Sequence, residues 1–449
     1  RKALVEDVNV HTPCLYARVE RRVPEIYEIE DFIDARDAPQ LYLTHYIGVK
    51  GKFFPRMVRA ILNTINLKKG ELLLDPFCGS GTMNLEAVLN GINTIGVDMQ
   101  PLFTEITRIK IISLNWDVHY VKREIEKLLK NIQLNLDAVT RNDSLSSYII
   151  SRISMAEVKL PKTLMRNVRQ DSLNCIKIIK GCIRRIDNQD LQRFCELALA
   201  YWMRSMLKKQ SPEKIFKTFS ERLWSMYFSL YYFWRFRREV HDLKLGEAKV
   251  FTGDVKKLTK TIEPGLQYFG KDFVDAIVTS PPYGTAIDYI NEHVYALYAL
   301  NLTKDHLELD KFQIGSPRVP SSLAEEIEKL SEAFMELPIS ARITLTKMLK
   351  AKRKAKACAL YKYFVDMHTA FKQMYEVLRP GGLLVMVIGK EQMIKLDKEY
   401  GIINLGHITE QIGKKTNFDH LYSIDIELRK ASKRGAIPTE HIIFFKKTG

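Results

Sequence analysis

The sequence is poor in cysteine and lacks the arrangements in which cysteine usually binds a metal. The 449 residues include six cysteines, and no two of them form a Cys-x-x-Cys pair. No histidine cluster accompanies them, so a zinc site is not expected. Sparse cysteine in a long chain favours a reducing compartment over an oxidising one. The sequence therefore predicts a cytoplasmic protein without a structural metal.

Long apolar segments are also missing. The longest uncharged aromatic run, Leu223 to Trp234, is too short to cross a bilayer. The first residues are charged and lack the apolar centre of a signal peptide. We therefore expect neither a membrane partner nor export.

Acidic residues are fewer than basic residues in this sequence. Lys and Arg number 69 against 53 Asp and Glu, a formal net charge of +16. Such an excess favours a polyanionic partner, with nucleic acid ahead of a membrane surface. A basic protein without such a partner is the alternative. The apolar fraction of 46% and the chain length suit a globular α/β domain with at least one further unit.

One stretch combines two short apolar strands with a glycine turn. Leu72 to Leu74 end on Asp75, the turn Gly79-Ser-Gly81 follows, and a helical pattern leads to a strand from Ile95 to Val97 that ends on Asp98. Glycines let the backbone approach a ligand, and an acid at the second strand tip can hold ribose hydroxyls. A third glycine suited to pyrophosphate is absent. The acid beside the turn therefore favours a cationic cofactor over a phosphate.

A second motif follows another apolar strand far downstream. Phe273 to Val278 lead directly into Thr279-Ser280-Pro281-Pro282-Tyr283-Gly284. Two prolines cannot continue a strand ladder, so the chain must turn there. In an open parallel sheet this turn lies at the carboxyl edge, where ligands bind.

Together the two motifs resemble the amino-methylating DNA methyltransferases that use S-adenosylmethionine. Asp75-Pro-Phe-Cys-Gly-Ser-Gly-Thr82 is similar to that family's cofactor motif. Ser280-Pro-Pro-Tyr283 is similar to its catalytic motif in the form associated with cytosine N4, whereas an aspartate at position 280 is the form linked to adenine N6. The chain has no Pro-Cys-Gln nucleophile, which argues against carbon-5 methylation, because that reaction needs an attacking thiolate.

The resemblance implies a set of cofactor contacts around a cationic sulfonium. Asp98 would bind the ribose, Asp254 would lie near the adenine, and Phe53, within Lys52-Phe-Phe-Pro55, would line the methionine end. Gly79 and Gly81 would let the cofactor's amino-acid portion rest on backbone. The implied cofactor-binding residues are Phe53, Asp75, Phe77, Gly79, Gly81, Thr82, Asp98 and Asp254.

The resemblance also implies the catalytic roles. An exocyclic amino group is a poor nucleophile because its lone pair is delocalised into the ring. Acceptors aimed at its hydrogens, here the Ser280 hydroxyl and the Pro281 carbonyl, would let the nitrogen pyramidalise, and Pro282 would fix the turn. The base must leave the duplex, and Tyr283 would stack on it. No metal is required.

The predicted fold is α/β: a Rossmann-like class I methyltransferase sheet, mostly parallel with an antiparallel edge, interrupted by a large and a smaller helical insertion. From Trp116 to Val250 the chain has 26 Lys or Arg against 15 Asp or Glu, so we expect this insertion to recognise the target. The predicted parts are an arm (1–41), the core (42–115, 247–303 and 358–449) and the insertions (116–246 and 304–357). We also expect two helices after the loop at residues 314–320 and one helix over residues 401–415.

Basic residues at three places are predicted to contact double-stranded DNA. They lie at the end of the large insertion, in the second insertion and in a loop before the last strand; solvated helix faces are the alternative. They are Arg235, Arg237, Arg238, Lys352, Arg353, Lys433 and Arg434. The aromatic residues between Tyr227 and Phe236 are expected to be core rather than base-stacking side chains.

Three functions stay open from the sequence. The first is a site-specific DNA methyltransferase, acting on cytosine N4 or alternatively adenine N6, with a possible restriction partner. The second is an RNA methyltransferase with the same core. Its tRNA guanine-N2 forms carry Asp-Pro-Pro-Tyr and a long amino-terminal RNA-binding domain, and the short segment before residue 42 favours DNA. The third is a nucleic-acid-binding protein on an inactive core, which the intact motifs disfavour.

Overall fold

The computed structural model describes residues 53–140, 158–166, 168–200, 202–239, 244–285, 287–396, 399–427 and 439–448. The predicted arm, Lys52 and the basic loop with Lys433 and Arg434 lie outside the described residues, as does the side chain of Arg235. Within the described helices, none is long and apolar enough to cross a membrane.

A seven-stranded sheet forms the centre of the fold, in the order β3-β2-β1-β4-β5-β9-β8. Strands β1 to β5 are parallel, and β9 runs antiparallel to both β5 and β8. The predicted fold class is confirmed. The strands, including a separate hairpin of β6 and β7, are β1 (Leu72–Asp75), β2 (Asn93–Asp98), β3 (Ala248–Thr252), β4 (Val274–Thr279), β5 (Leu378–Gly389), β6 (Glu391–Leu396), β7 (Glu399–Asn404), β8 (Phe418–Glu427) and β9 (Thr439–Lys447).

Helices cover both faces of the sheet and build the insertions. In chain order they are α1 (Pro55–Ile65), α2 (Thr82–Leu89), α3 (Pro101–Ile112), α4 (Val118–Thr140), α5 (Lys162–Met165), α6 (Gln170–Ile183), α7 (Gln189–Ala200), α8 (Met203–Lys209), α9 (Pro212–Glu239), α10 (Leu258–Phe269), α11 (Tyr289–Ala299), α12 (His306–Phe312), α13 (Leu323–Glu328), α14 (Glu332–Glu336), α15 (Ile339–Lys350), α16 (Lys354–Val377) and α17 (Leu405–Lys415).

The apolar side chains of the strands belong to two hydrophobic cores, one on each face of the sheet, because successive side chains point to opposite faces. Leu72 and Leu74 pack with residues of α10, α16 and α17 on one face. Leu73 packs on the other face with Met57 and Ile61 of α1. Burial on both faces explains why these strands read as continuous apolar runs.

The described part of the large insertion is helical, as predicted, and packs directly onto the core. Ile125 of α4, Ile176 of α6 and Phe219 of α9 belong to one buried cluster with Leu102 of α3 and Leu297 of α11. This shared core fixes the insertion against the helices that flank the sheet. The boundaries at residues 115 and 246 stay a prediction.

The second insertion differs from its prediction. We expected two helices after the loop at residues 314–320, whereas three follow the loop and α12 precedes it. Ile327, Phe334 and Leu345 from these helices are buried in the same cluster as the sheet residue Ile277. The segment therefore forms part of the layer over the sheet.

The prediction of a helix from residue 401 was wrong at its start. Residues 401–404 complete the β6–β7 hairpin, and α17 begins only at Leu405. The side chain of Asn404 accepts a hydrogen bond from the backbone N–H of His407 at 2.9 Å, which caps the helix. Leu405, Ile408 and Ile412 fit a helical period that extends back to residue 401, so spacing alone concealed the cap.

Candidate active site

The tips of β1 and β4 are joined by one buried hydrogen bond. The Thr279 hydroxyl donates to the Asp75 carboxylate at 2.6 Å, and the backbone N–H of Phe77 donates to the same oxygen at 3.2 Å. Asp75 is 1% exposed, and burial raises the pKa of its carboxyl to about 7. The bond links the glycine-turn motif to the Ser-Pro-Pro-Tyr motif. Asp75 is not among the residues that line the adjacent pocket, whereas Pro76 and Phe77 are.

The two glycines of the turn, Gly79 and Gly81, have different structural roles. Both have positive φ, +50° at Gly79 and +76° at Gly81. Gly79 lines the pocket, as expected for a backbone that touches a ligand. A Cβ at Gly81 would lie 2.6 Å from the Thr107 side chain on α3. Gly81 therefore permits close packing of α2 and α3, a role that the sequence reading missed.

Asp98 lies at the tip of β2 and faces the pocket. Its two carboxylate oxygens accept hydrogen bonds from the backbone N–H groups of Gly79, at 2.9 Å, and Gln100, at 2.8 Å. Burial raises the pKa of this carboxyl to about 6, although the backbone hydrogen bonds oppose the shift. The position suits the predicted ribose contact, which stays a prediction.

Asp254 follows β3 and lines the same pocket. Its carboxylate accepts the backbone N–H of Lys256 at 3.0 Å and lies 3.4 Å from the Lys256 ammonium. That ammonium also reaches the carbonyl of Phe312 at 3.2 Å. The contact ties the strand tip to the second insertion.

One pocket at the carboxyl edge brings together eight of the twelve predicted cofactor and catalytic residues. These are Phe53, Phe77, Gly79, Thr82, Asp98, Asp254, Ser280 and Pro282. The other four, Asp75, Gly81, Pro281 and Tyr283, do not line it.

The sequence reading missed other residues that line the pocket. Gln100 and Phe103 follow β2, Tyr289 begins α11, and Gln313 and Ile314 come from the second insertion. No regular spacing marks these positions, because the insertion reaches the pocket only through tertiary packing. A glutamine in an irregular loop carries no sequence signal of a ligand contact.

Three buried polar atoms of the pocket fit a polar ligand. The Thr82 hydroxyl, the Gln100 side-chain oxygen and the Gln313 side-chain nitrogen have no hydrogen-bond partner within the described residues. Buried polar groups are normally paired, so unpaired ones in a pocket indicate a bound partner. No Lys or Arg is among the described residues that line the pocket, which suits a cation. The site therefore fits S-adenosylmethionine, with its sulfonium, hydroxyl and adenine groups.

The turn after β4 is held by contacts from two distant segments. The Tyr363 hydroxyl donates to the carbonyl of Pro282 at 2.9 Å. Gly315 packs so closely that a Cβ there would lie 2.3 Å from the Gly284 carbonyl oxygen. The turn therefore presents Ser280 and Pro282 to the pocket from a fixed backbone.

Tyr283 is held at both its ring and its hydroxyl. The ring packs against the buried core next to β4. The Ser280 hydroxyl donates to the Tyr283 hydroxyl at 3.2 Å, which in turn donates to a carboxylate oxygen of Glu440 at 3.3 Å. Burial raises the pKa of the Tyr283 hydroxyl well above its ordinary value, so it stays protonated at neutral pH.

Among the predicted nucleic-acid contacts that the structure describes, Arg237 and Arg238 lie apart from the pocket. Arg237 donates to Asn115 at 2.8 Å, beyond the end of α3 that points away from the pocket, and Arg238 lies over the Trp234 ring at 4.9 Å. A twelve-residue helix such as α3 spans about 18 Å, so Arg237 lies far from the pocket.

Lys352 and Arg353 lie in the turn before α16, on the same side as the catalytic turn. Four residues beyond Lys352 along the chain, the ammonium of Lys356 donates to the Thr285 hydroxyl, directly after the Ser-Pro-Pro-Tyr-Gly segment. Lys352 is exposed and Arg353 is half-buried. Lys352 and Arg353 therefore lie within a few residues of a contact with the segment after the Ser-Pro-Pro-Tyr motif, and their contact with nucleic acid stays a prediction.

A second, basic cleft adjoins the pocket and was not predicted. Tyr289 and His293 of α11 form one wall, and Trp202 with residues of α8 forms the other. Its lining contains three cationic side chains, Arg204, Lys208 and Lys209, and one acidic side chain, Glu292. The spacing of Arg204 and Lys208 places both on one helix face, a signal that the sequence does contain.

The fold and the site together define an S-adenosylmethionine-dependent methyltransferase, which confirms the predicted resemblance and cofactor. The similarity of the chain to known proteins agrees with this assignment. Residues 47–149 match the family described as "UPF0020: RMKL-like, methyltransferase domain". Among the described residues, no group of three or more His, Cys, Asp or Glu side chains is placed to hold a metal ion.

Two relatives and one solved structure illustrate the similarity. The Type II methyltransferase M.MvaI of Kocuria varians is 21% identical over 403 residues, covering 85% of this chain and 83% of that protein. A tRNA (guanine(10)-N2)-dimethyltransferase of Methanocaldococcus jannaschii is 29% identical over 207 residues, covering 40% of this chain and 58% of that protein. The rRNA methyltransferase aviRa of Streptomyces viridochromogenes aligns over 92% of both chains with 11% identity and a TM-score of 0.32.

Proposed function

We propose that the protein transfers a methyl group from S-adenosylmethionine to an exocyclic amino group in DNA, namely N4 of cytosine. One observation carries the proposal. Ser280 and Pro282 line the same pocket as Gly79 and Asp98. An amino group held at Ser280 would therefore face the cofactor's methyl group, which is the proximity that the reaction needs.

The chain's own groups supply the chemistry of activation. The Ser280 hydroxyl donates to Tyr283 and so keeps its oxygen lone pairs available to an amino hydrogen. We expect the second amino hydrogen to be accepted by the carbonyl of Pro281, which lies between the two pocket residues Ser280 and Pro282 but does not itself line the pocket. Both contacts favour a nitrogen whose lone pair is released from the ring. The bound cofactor supplies the electrophilic methyl group.

The residue at position 280 supports cytosine. A serine offers a neutral acceptor in place of the carboxylate found in the adenine-N6 form of the resembled family. Adenine N6 remains the alternative among DNA substrates, and the chemistry at the nitrogen would be the same.

The basic cleft supports a nucleic-acid substrate. Arg204 and Lys209 are exposed, and no ion pair joins Arg204, Lys208 or Lys209 to an acidic side chain in the described part of the chain, although Glu292 also lines the cleft. Arg204 and Lys208 also lie over the ring of Tyr295. The cleft shares Tyr289 with the cofactor pocket. A sugar-phosphate backbone of a nucleic acid bound in the cleft would therefore pass beside the catalytic turn. Cations of this kind beside a reaction site fit phosphates.

The relatives support DNA over RNA, with RNA as the second candidate. A Type II methyltransferase matches over 85% of this chain, whereas the similarity to a tRNA methyltransferase covers 40%. That second match nevertheless favours a test with RNA in parallel.

The test is methyl transfer from labelled S-adenosylmethionine to unmethylated DNA and to RNA, followed by nucleoside mass spectrometry. We expect N4-methylcytosine in DNA. N6-methyladenine in DNA would keep the enzyme class and overturn the argument from Ser280. Label in RNA alone would overturn the DNA substrate, and label in neither would overturn the proposed activity.

The nucleic-acid surface is tested by charge reversal. The double variant Lys208→Glu with Lys209→Glu should weaken DNA binding and reduce the salt slope of log K by roughly 0.9 for each phosphate that is no longer neutralised. Lys214→Glu, at an exposed position on α9, is the matched control. If Arg238→Glu flattens the slope and the cleft variant does not, the footprint lies on α9 as the sequence first indicated.

A further inference from the structure

A half-buried carboxylate, that of Glu440, lies at the end of a hydrogen-bonded chain that starts at Ser280. Ser280 donates to Tyr283 at 3.2 Å, and Tyr283 donates to Glu440 at 3.3 Å. Both hydrogen bonds point the same way, from the pocket toward the carboxylate. The resembled motif assigns no function to Glu440, which lies 157 residues beyond Tyr283 in sequence.

The sheet places Glu440 beside the catalytic turn. It lies on β9, paired with Gly389 at the carboxyl end of β5, the neighbour of β4. Burial raises the pKa of the Glu440 carboxyl, and the hydrogen bond from Tyr283 opposes that shift. A carboxylate in these surroundings is a stronger base than one in water.

The basic side chains next to Glu440 in sequence and in the sheet contact other carboxylates. The Lys390 ammonium contacts Asp425, and the His441 ring contacts Asp425 at 2.6 Å and Glu410 at 2.9 Å. Among the described residues, Tyr283 is the one whose side chain forms a hydrogen bond with the Glu440 carboxylate. The carboxylate is therefore directed at the catalytic turn and is not paired with any cation that the structure describes.

We propose that Glu440 is the terminal acceptor of the proton that the amino group loses on methylation. This inference rests on the proposed function. The nitrogen lone pair forms the bond to the methyl carbon, and the carbon–sulfur bond breaks with its electron pair remaining on sulfur. The nitrogen then gives a proton to Ser280, whose own proton passes to Tyr283, and the Tyr283 proton passes to Glu440. Glu440 becomes a carboxylic acid, which later returns the proton to water.

The relay explains how a serine can serve at position 280. Serine accepts a hydrogen bond as aspartate does, but its hydroxyl is too weakly basic to hold the released proton. The directed hydrogen bonds place a carboxylate two transfers away. Serine and a distant glutamate together thus supply what a single aspartate would supply.

Glu440→Gln separates proton acceptance from positioning. Glutamine still accepts the Tyr283 hydrogen bond but cannot take up the proton. Loss of a positioned general base lowers rates by roughly 10²–10⁴-fold, so we expect kcat to fall by about 10²-fold or more. The KM for cofactor should change by less than about 3-fold, because Glu440 does not line the cofactor pocket.

The pH dependence of kcat provides a second test of the relay. At saturating cofactor, the wild-type kcat should rise as pH rises through the pKa of Glu440, because only the carboxylate accepts a proton. Glu440→Gln should lose this acidic limb. Asp419→Asn, at an exposed carboxylate on β8, is the matched control and should keep both rate and profile.

Tyr283→Phe provides an independent test, which also serves if Glu440→Gln fails to fold. It keeps the ring that packs against the core and removes the middle of the relay, so it should lower kcat and lose the same limb. A Glu440→Gln enzyme with wild-type kcat and an unchanged profile would overturn the relay. Inactivity of the wild type on both DNA and RNA would instead overturn the proposed function, so the two failures are distinguishable.

Discussion

Lowering the pH from 7 to 5 should weaken cofactor binding through Asp98. This carboxyl faces the pocket and has a pKa raised to about 6 by burial. Ribose hydroxyls donate more strongly to a carboxylate than to a carboxylic acid, and a cationic cofactor also prefers the ionised form. Protonation therefore competes with the cofactor.

The size of the effect follows from the pKa. With a pKa of about 6, Asp98 is roughly one-tenth ionised at pH 5 and nine-tenths ionised at pH 7. If only the ionised form binds, Kd should be about 10-fold higher at pH 5. The cofactor's α-amino group titrates near pH 8 and stays protonated throughout this range.

Isothermal titration calorimetry measures both the affinity and its proton linkage. Binding at pH 6 should release about half a proton, detected from the difference between buffers of different ionisation enthalpy. Asp98→Asn should bind weakly and lose the pH dependence. Asp272→Asn, at an exposed position before β4, should behave as the wild type. A Kd that stays constant from pH 5 to 7, without proton release, would refute the reasoning.

The stability of the cofactor-free protein should respond in the opposite direction. The folded pKa of Asp98 lies above its ordinary value of 3.8, so the folded state binds more protons between pH 3.8 and 6. The stabilising contribution is complete below pH 3.8 and is lost as pH rises through 6, by about 3 kcal/mol at most. Thermal melts of wild type and Asp98→Asn across this range check the sign, and a contribution that grows with pH would contradict it.

Two further predictions concern the backbone of the site. Gly81→Ala should lower unfolding stability by about 2–4 kcal/mol, because it combines strain at φ +76° with a contact 2.6 Å from Thr107, whereas Gly70→Ala, with φ +82° and open space, should lose only about 1 kcal/mol. Equal melting-temperature losses would discount the helix contact. Tyr363→Phe removes the hydrogen bond to the Pro282 carbonyl and should lower kcat by about 10-fold with unchanged cofactor Kd. A changed Kd with normal kcat would contradict a role in holding the turn.

The mostly parallel character of the sheet and the location of the pocket could be predicted because local patterns encode them. Each motif follows an apolar strand, and parallel strands bring their carboxyl ends to one edge. The hairpin of β6 and β7 was missed because its apolar residues also fit the helical period of α17. A polar cap at Asn404, one residue long, decides between the two.

Pocket residues from the insertion were beyond sequence reasoning for a different reason. Gln313 and Ile314 lie in an irregular loop, and they reach the pocket because α13 to α15 pack onto the sheet core. Arg237 was a reasonable phosphate contact from composition. Its hydrogen bond to Asn115, 122 residues away in sequence, shows how tertiary packing can engage a cation within the protein.

The sequence by itself determined the strand, turn and helix around Asp75 and the proline-rich turn at Ser280, because strand burial, glycine conformation and proline restriction act over a few residues. Only the tertiary structure decided the partners of these residues. Thr279 meets Asp75 across 204 residues, and Tyr283 meets Glu440 across 157. Such contacts depend on the order and register of strands in the assembled sheet, which no local pattern specifies.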